Sequence, residues 1–222
     1  MGNMIHIDIS QRKKLKGAYC KKKQEIEERL KEFKSIYKKG SEEELFAELC
    51  FCLLTPQSKA KTCWAAVLEL RKNKLLSSSN MIKIAKKLKK FGVRFHNKKA
   101  KYIVDAYTFF SKTGNLSIRD ALKNADEKDI RKFLVENING IGYKEASHFL
   151  RNIGLGENYA ILDRHIIKNL KKFCIIENKK PLTKTRYLAT EEIMKEFAEK
   201  IGVPLSHLDL LFWSEETNEI FK

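Results

Sequence analysis

Apolar positions recur every three to four residues along most of this chain and show no sustained alternation, the mark of helices rather than strands. From Gln11 to Lys39 the stripe is Ile26, Leu30, Phe33 and Tyr37 on an otherwise basic helix, stopped by Gly40. Ser41-Glu42-Glu43-Glu44 reads as a capping box, serine and glutamate each satisfying the other's end amide. The next helix, Leu45 to Leu54, is nearly all apolar, which predicts a buried central element. Thr55-Pro56-Gln57-Ser58 interrupts it: proline cannot continue a helix, and Ser58 suits the cap of the next one. That next helix is expected to turn Ala60, Cys63, Trp64, Val67 and Leu68 inward.

A loop at Ser77 to Asn80 leads to a short basic helix ending at Gly92, followed by the link Val93-Arg94-Phe95-His96. Asn97 is positioned to cap a helix carrying Ala100, Ile103, Val104 and Tyr107. Gly114, Asn115 and Ser117 mark a turn, and Asp126 reads as the cap of the first helix of the pair around Gly140. Past a loop at Asn178 to Pro181, Thr183 to Ile201 is helical with Leu188, Ile193 and Phe197. Gly202-Val203-Pro204 ends that helix, and Ser206 with Asp209 reads as a capping box for His207 to Ser214. Residues 1 to 10 read as irregular. The fold is expected to be all-α.

Residues 128 to 168 carry the sharpest pattern. Ile130, Phe133, Leu134 and Ile138 lie on one helix face, and Ala146, Phe149, Leu150 and Ile153 repeat that spacing after a break. The break, Asn139-Gly140-Ile141-Gly142, is short enough only for a tight turn between antiparallel helices. Glycines there permit backbone angles a side chain would forbid and leave amides bare at the positive end of the second helix, an anion site. Lys144 follows two residues after the second glycine. Gly154 and Gly156 end the second helix, and the loop beyond can return Asp163, in Ile-Leu-Asp-Arg-His-Ile, to Lys144 as the cap of a further helix from Arg164 to Phe173.

Charge adds a partner. Lys and Arg number 45 against 28 Asp and Glu, a formal net charge of +17, and such an excess points to an anion, most often nucleic acid. Charge alone is also compatible with plain solubility. Five cysteines show no metal-like spacing; Cys50 and Cys52 sit in the apolar helix as small hydrophobes. No apolar run reaches the length of a membrane span and the N-terminus has no signal-peptide core, so a cytoplasmic protein without metal or cofactor is expected.

Gly-Ile-Gly-Tyr-Lys-Glu-Ala-Ser-His-Phe-Leu-Arg-Asn with the downstream Asp163 resembles the helix-hairpin-helix DNA glycosylase superfamily, and within it the type 2, archaeal-type 8-oxoguanine DNA glycosylase/AP lyases. The resemblance implies two helical lobes with the hairpin at their cleft. One lobe comprises roughly residues 41–149, the other residues 1–40 plus 150–222. It also implies base excision from double-stranded DNA containing oxidised guanine paired with cytosine, by a monomer. Lys144 would be the nucleophile, forming a Schiff base with the sugar before β-elimination, with Asp163 stabilising the sugar's positive charge. A lysine attacks only when partly deprotonated, and a helix N-terminus and desolvation both favour that state. A tight ion pair with Asp163 would oppose it, so proximity without a close bond is expected. The amides of Gly140 and Gly142 would hold a phosphate.

Further roles follow the same resemblance. Leu54-Thr55-Pro56-Gln57-Ser58 is similar to the turn whose glutamine fills the gap left by an extruded base in endonuclease III-like relatives; a plain helix-linking turn is the other reading of Gln57. Arg94-Phe95 resembles the pair that meets the orphaned cytosine, while spacing alone favours Phe95 packed beneath its loop. Leu208 to Trp213 and the tail ending at Lys222 resemble the type 2 C-terminus, whose terminal carboxylate distinguishes oxidised guanine: a carboxylate accepts a bond from N7–H and repels the acceptor N7 of guanine. Trp213 would pack on the flipped base or serve as a core residue. Asn218 replaces the family's usual glycine, and asparagine also tolerates left-handed geometry. The iron–sulfur loop of the endonuclease III branch is missing, as Cys174 is the last cysteine. Two alternatives remain: a hairpin glycosylase for another damaged base, and a non-catalytic hairpin DNA-binding module. The latter has no need of Lys144 or Asp163.

Overall fold

The computed structural model describes residues 9–112, 114–125, 129–176 and 182–222; the expectations for residues 1–8, Asp126 and the 178–181 loop lie outside them. Every regular element among the described residues is a helix: α1 (Ile9–Lys39), α2 (Glu42–Leu54), α3 (Ala60–Lys72), α4 (Met81–Lys90), α5 (His96–Phe110), α6 (Ile118–Asn124), α7 (Ile130–Asn137), α8 (Tyr143–Asn152), α9 (Arg164–Lys172), α10 (Lys184–Ile201) and α11 (Leu205–Thr217). No described helix is long and apolar enough to cross a membrane.

Helix α2 is the axis. The Ser41 box forms as expected, with Ser41 N–H donating to Glu44 Oε2 at 2.8 Å and Glu44 N–H to Ser41 Oγ at 3.2 Å. Every residue from Leu45 to Leu54 is buried, each large apolar side chain contributing about 1.5–3 kcal/mol by leaving water. Around it α3 to α8 form one apolar core running from Leu45 to Ile153. A second core joins Ile26 and Phe33 of α1 to α9, α10 and α11, where Phe173, Phe197 and Phe212 pack ring against ring.

Several helix starts differ from expectation. Helix α3 begins at Ala60 behind Lys59, with no side-chain cap; Ser58 Oγ instead accepts from Arg94 N–H and Lys99 Nζ, both at 3.1 Å. Its inner stripe is Cys63, Ala66, Val67 and Leu70, with Ala60 and Trp64 at the margin, so Leu68 points outward, 44% exposed. Helix α5 starts one residue before Asn97, behind a left-handed Phe95. Helix α11 starts at Leu205 behind Pro204; Ser206 and Asp209 are buried rather than capping. Ser58, Ser206 and Asp209 have a tertiary environment that a local pattern does not reveal, while Asn97 stays exposed in the first turn of α5.

Candidate active site

The hairpin forms where the glycines predict it. Asp129, three residues past the expected Asp126, caps α7, its Oδ1 accepting from Lys132 N–H at 3.0 Å, and Leu134, Ile138 and Ile141 are buried beneath the turn. Gly140 has φ +89°, and a Cβ there would overlap the Tyr102 ring; the turn therefore lies flush on α5. Gly142 is the N-cap of α8, but its amide is not bare. It donates to Glu145 Oε2 at 3.3 Å, and the other oxygen of that carboxylate lies 3.1 Å from Lys144 Nζ. The protein's own acid thus occupies the positive end of the helix, and Lys144 pairs with Glu145.

Asp163 reaches the site at the end of a tightly held loop. Gly154, at φ +79°, lies so close to the Lys34 backbone of α1 that a side chain would collide with it. Ala160 N–H donates to Glu191 Oε2 at 2.8 Å and Tyr187 Oη donates to Ala160 O at 2.6 Å. Glu191 is itself clamped by both Nη atoms of Arg131 at 2.6 and 2.8 Å, so the loop is fixed to α7 and α10 at once. Asp163 then caps α9, its Oδ1 accepting from His165 N–H at 2.8 Å and Ile166 N–H at 2.9 Å.

Lys144 and Asp163 share the wall of one cleft of about 940 Å³, together with Gln57, Arg94, Trp213 and Lys222. Six predicted residues from five distant segments are therefore brought together. Gly140 and Gly142 lie outside its lining. Phe95 stands beside it, 54% exposed with φ +57°, so it is not packed beneath its loop, and the Arg94 guanidinium lies 5.5 Å from its ring centre. Gln57 is likewise exposed and left-handed, with φ +55°.

The tail returns to this cleft from the other side. Asn218 takes the left-handed angle, φ +59°, that turns the chain at the end of α11. Trp213 stacks on Phe221 at 6.4 Å, and Phe221 meets Phe51 edge-on. The Lys222 ammonium pairs with Glu48 of α2 and lies 3.5 Å from the centre of the Trp64 ring; burial lowers its pKa. Glu48 also accepts from Asn152 Nδ2 at 3.0 Å. A carboxylate inside an apolar helix thus anchors the chain end.

Three lining groups escaped the sequence reading. Asp209 and Arg151 are buried 3.9 Å apart. Burial raises Asp209 to a pKa of about 7, against the pull of Arg151, with Asp163 adding to the rise. Arg151 Nε and Nη1 and His148 Nε2 are buried without a hydrogen-bond partner among the described residues. His148 lies against the main chain of Lys222, and burial holds it well below its ordinary pKa, hence neutral. The available signal was an ionisable residue at an inward position of an apolar helix: Asp209 between Leu208 and Leu210, and His148 one turn after Lys144.

A hairpin presenting a lysine amine, a capping aspartate and an aromatic wall in one cleft is the arrangement of a DNA-lesion-processing hairpin protein, and comparison with known proteins narrows it. Residues 26–203 match the family described as 8-oxoguanine DNA glycosylase. The chain is 44% identical over 201 residues to the 8-oxoguanine DNA glycosylase/AP lyase of Fusobacterium nucleatum, covering 89% of this chain and 91% of the relative. It is 41% identical over 199 residues to that of Methanocaldococcus jannaschii, covering 89% and 91%. The crystal structure of the M. jannaschii 8-oxoguanine DNA glycosylase superposes with a TM-score of 0.85 at 38% identity, covering both chains fully. Its complex with a 15mer DNA containing 8-oxoguanine gives 0.86, over 96% of this chain and all of that one. The chain belongs to the 8-oxoguanine DNA glycosylase family.

Proposed function

We propose that this protein is a bifunctional DNA glycosylase/AP lyase that excises 8-oxoguanine, paired with cytosine, from double-stranded DNA in base excision repair. It acts as a monomer in the cytoplasm without a cofactor. The carrying observation is the opening of Lys144 and Asp163 onto the cleft whose wall includes Trp213 and Lys222. The central helices, 41–149, and the N- and C-terminal segments, 1–40 plus 150–222, act as two lobes that grip the duplex across that cleft; the two apolar cores support this division.

The lesion leaves the stack because its C1′ is unreachable inside a duplex. The neutral Lys144 amine attacks C1′: the Nζ–C1′ bond forms, the C1′–N9 bond breaks, and the base departs with the electron pair and takes up a proton. Asp163 Oδ1 is engaged by two amides, leaving Oδ2 to face the positive charge on the sugar. Ring opening gives an iminium, which acidifies the 2′ proton; its loss expels the 3′ phosphate and cuts the strand. Trp213 stacks on the flipped base, the Lys222 carboxylate accepts from its N7–H, and Gln57, Arg94 and Phe95 fill the vacated position and meet the orphaned cytosine.

The turn amides of Gly140 and Gly142 hold a backbone phosphate, which must displace Glu145. The same displacement frees Lys144 from its ion pair. Binding the strand and releasing the nucleophile are thus one event. Borohydride reduction during turnover on 8-oxoguanine DNA traps wild type as a covalent adduct and leaves Lys144→Gln untrapped. An adduct that survives the substitution moves the nucleophile elsewhere and overturns the assignment.

A further inference from the structure

Gln57 and Phe95, both exposed and left-handed at one side of the cleft, share a buried support. Gln57 closes the turn between α2 and α3, and Phe95 precedes α5, 38 positions further along. A side chain in the left-handed region is strained and persists where its surroundings over-determine it. At these two places the common neighbour is Lys99 on the inner face of α5, only 4% exposed.

All three protons of the Lys99 ammonium are used. Nζ donates to Leu54 O at 2.6 Å, to Pro56 O at 2.7 Å and to Ser58 Oγ at 3.1 Å. None of these acceptors carries a formal charge. Burying an ammonium on neutral oxygens is expensive, and an apolar side chain would suit plain packing better. The arrangement has a compensating field: Leu54 is the last residue of α2, whose final turn has no basic residue, and a cation is favoured at that negative end. Ser58 Oγ, held by Lys99, accepts in turn from Arg94 N–H at 3.1 Å. One ammonium therefore ties the carbonyls of the first turn to the backbone of the second.

We propose that Lys99 is a positioning residue for lesion extrusion: it holds the Gln57 turn and the Arg94–Phe95 loop in fixed register, so that both side chains enter the duplex as one unit. This rests on the reading above that Gln57 and Phe95 enter the duplex. Lys99 touches neither substrate nor reacting atoms; it acts through the two turns.

The test uses the full chain and an 8-oxoguanine·cytosine duplex with 2-aminopurine next to the cytosine, whose fluorescence reports unstacking. Lys99→Met is expected to lower the fluorescence change on binding and to slow single-turnover excision about tenfold to a hundredfold, the range for an ångström-scale misplacement. Affinity for undamaged duplex stays within about twofold, because phosphate contacts carry it. Ser58→Ala, which cuts the link between the turns while keeping the ammonium, shifts both lesion readouts in the same direction by a smaller factor and serves if Lys99→Met does not fold. In a Gln57→Ala/Phe95→Ala background, Lys99→Met has no further effect on fluorescence. Unchanged excision in both single variants overturns the proposal. So does an equal fall in undamaged-duplex affinity, which marks a merely structural role. If Gln57→Ala/Phe95→Ala itself leaves fluorescence and excision unchanged, the duplex-entry reading fails instead, and the two failures are told apart.

Discussion

Helices α8 and α9 both contribute to the wall of the cleft, yet their N-termini are closed in opposite ways. Asp163 closes α9 with two bonds of 2.8 and 2.9 Å from its own cap position. Helix α8 starts on a glycine, which has no side chain to offer, and Glu145 reaches back over 3.3 Å to its amide. A short, doubly made cap is a permanent part of its helix. A single longer bond from a residue that also holds Lys144 is one that a phosphate can replace. On the function proposed above, the α9 terminus, with one oxygen tethered and one free, serves the chemistry, while the α8 terminus serves strand binding and its first turn also carries the nucleophile Lys144.

The largest effect that would break this contrast is at Asp163. Asparagine caps a helix as well as aspartate, so Asp163→Asn is expected to leave unfolding stability within about 0.5 kcal/mol while slowing single-turnover excision about a hundredfold or more, the scale for losing a preorganised electrostatic partner of the transition state. Asp163→Ala should add a stability loss of about 0.5–2 kcal/mol. Full activity in the asparagine variant would reduce Asp163 to a cap. A smaller effect is expected at the replaceable end. Glu145→Gln removes a negative charge that competes with phosphate and should tighten binding to undamaged duplex by up to about fivefold at low salt, fading as salt screens it. Weaker binding in a titration would mean that Glu145 builds the turn rather than guards it.

The smallest effect concerns the ground beneath Asp163. Burial raises Asp209 from 3.8 to about 7. Between those values the folded chain keeps a proton that the unfolded chain has lost, so this group's contribution to stability declines as pH rises from about 4 to 7 and is level above that. Thermal midpoints measured across this window should fall less with pH in Asp209→Asn than in wild type. Parallel slopes would show that Asp209 titrates normally in the fold.

Much of this was readable in one dimension. The hairpin, its glycine turn, the Ser41 box and the Asp163 cap depend on residues within four positions of one another, and local rules suffice for them. The errors at Ser58, Asn97 and Ser206–Asp209 share one cause: a polar residue just before or early in a helix resembles a cap, but each of these lies where the tertiary fold sets the helix start elsewhere. The local pattern places Lys144 just inside α8 but not the role of its neighbour Glu145, because the carboxylate's claim on both the amide and the amine appears only once α8 is built.

The order of apolar and polar residues by itself determined an all-helical chain, the hairpin that presents Lys144 and the aspartate that opens α9, since periodicity and capping act over a single turn. Only the tertiary structure decided which ionisable groups are buried and with whom: Lys222 with Glu48 from 174 positions away, Arg151 with Asp209, and Lys99 on the carbonyls of Leu54 and Pro56. The physical reason is desolvation: a charge removed from water must be met by whatever polar atoms the packing brings to it, and packing joins parts of the chain that no local pattern connects.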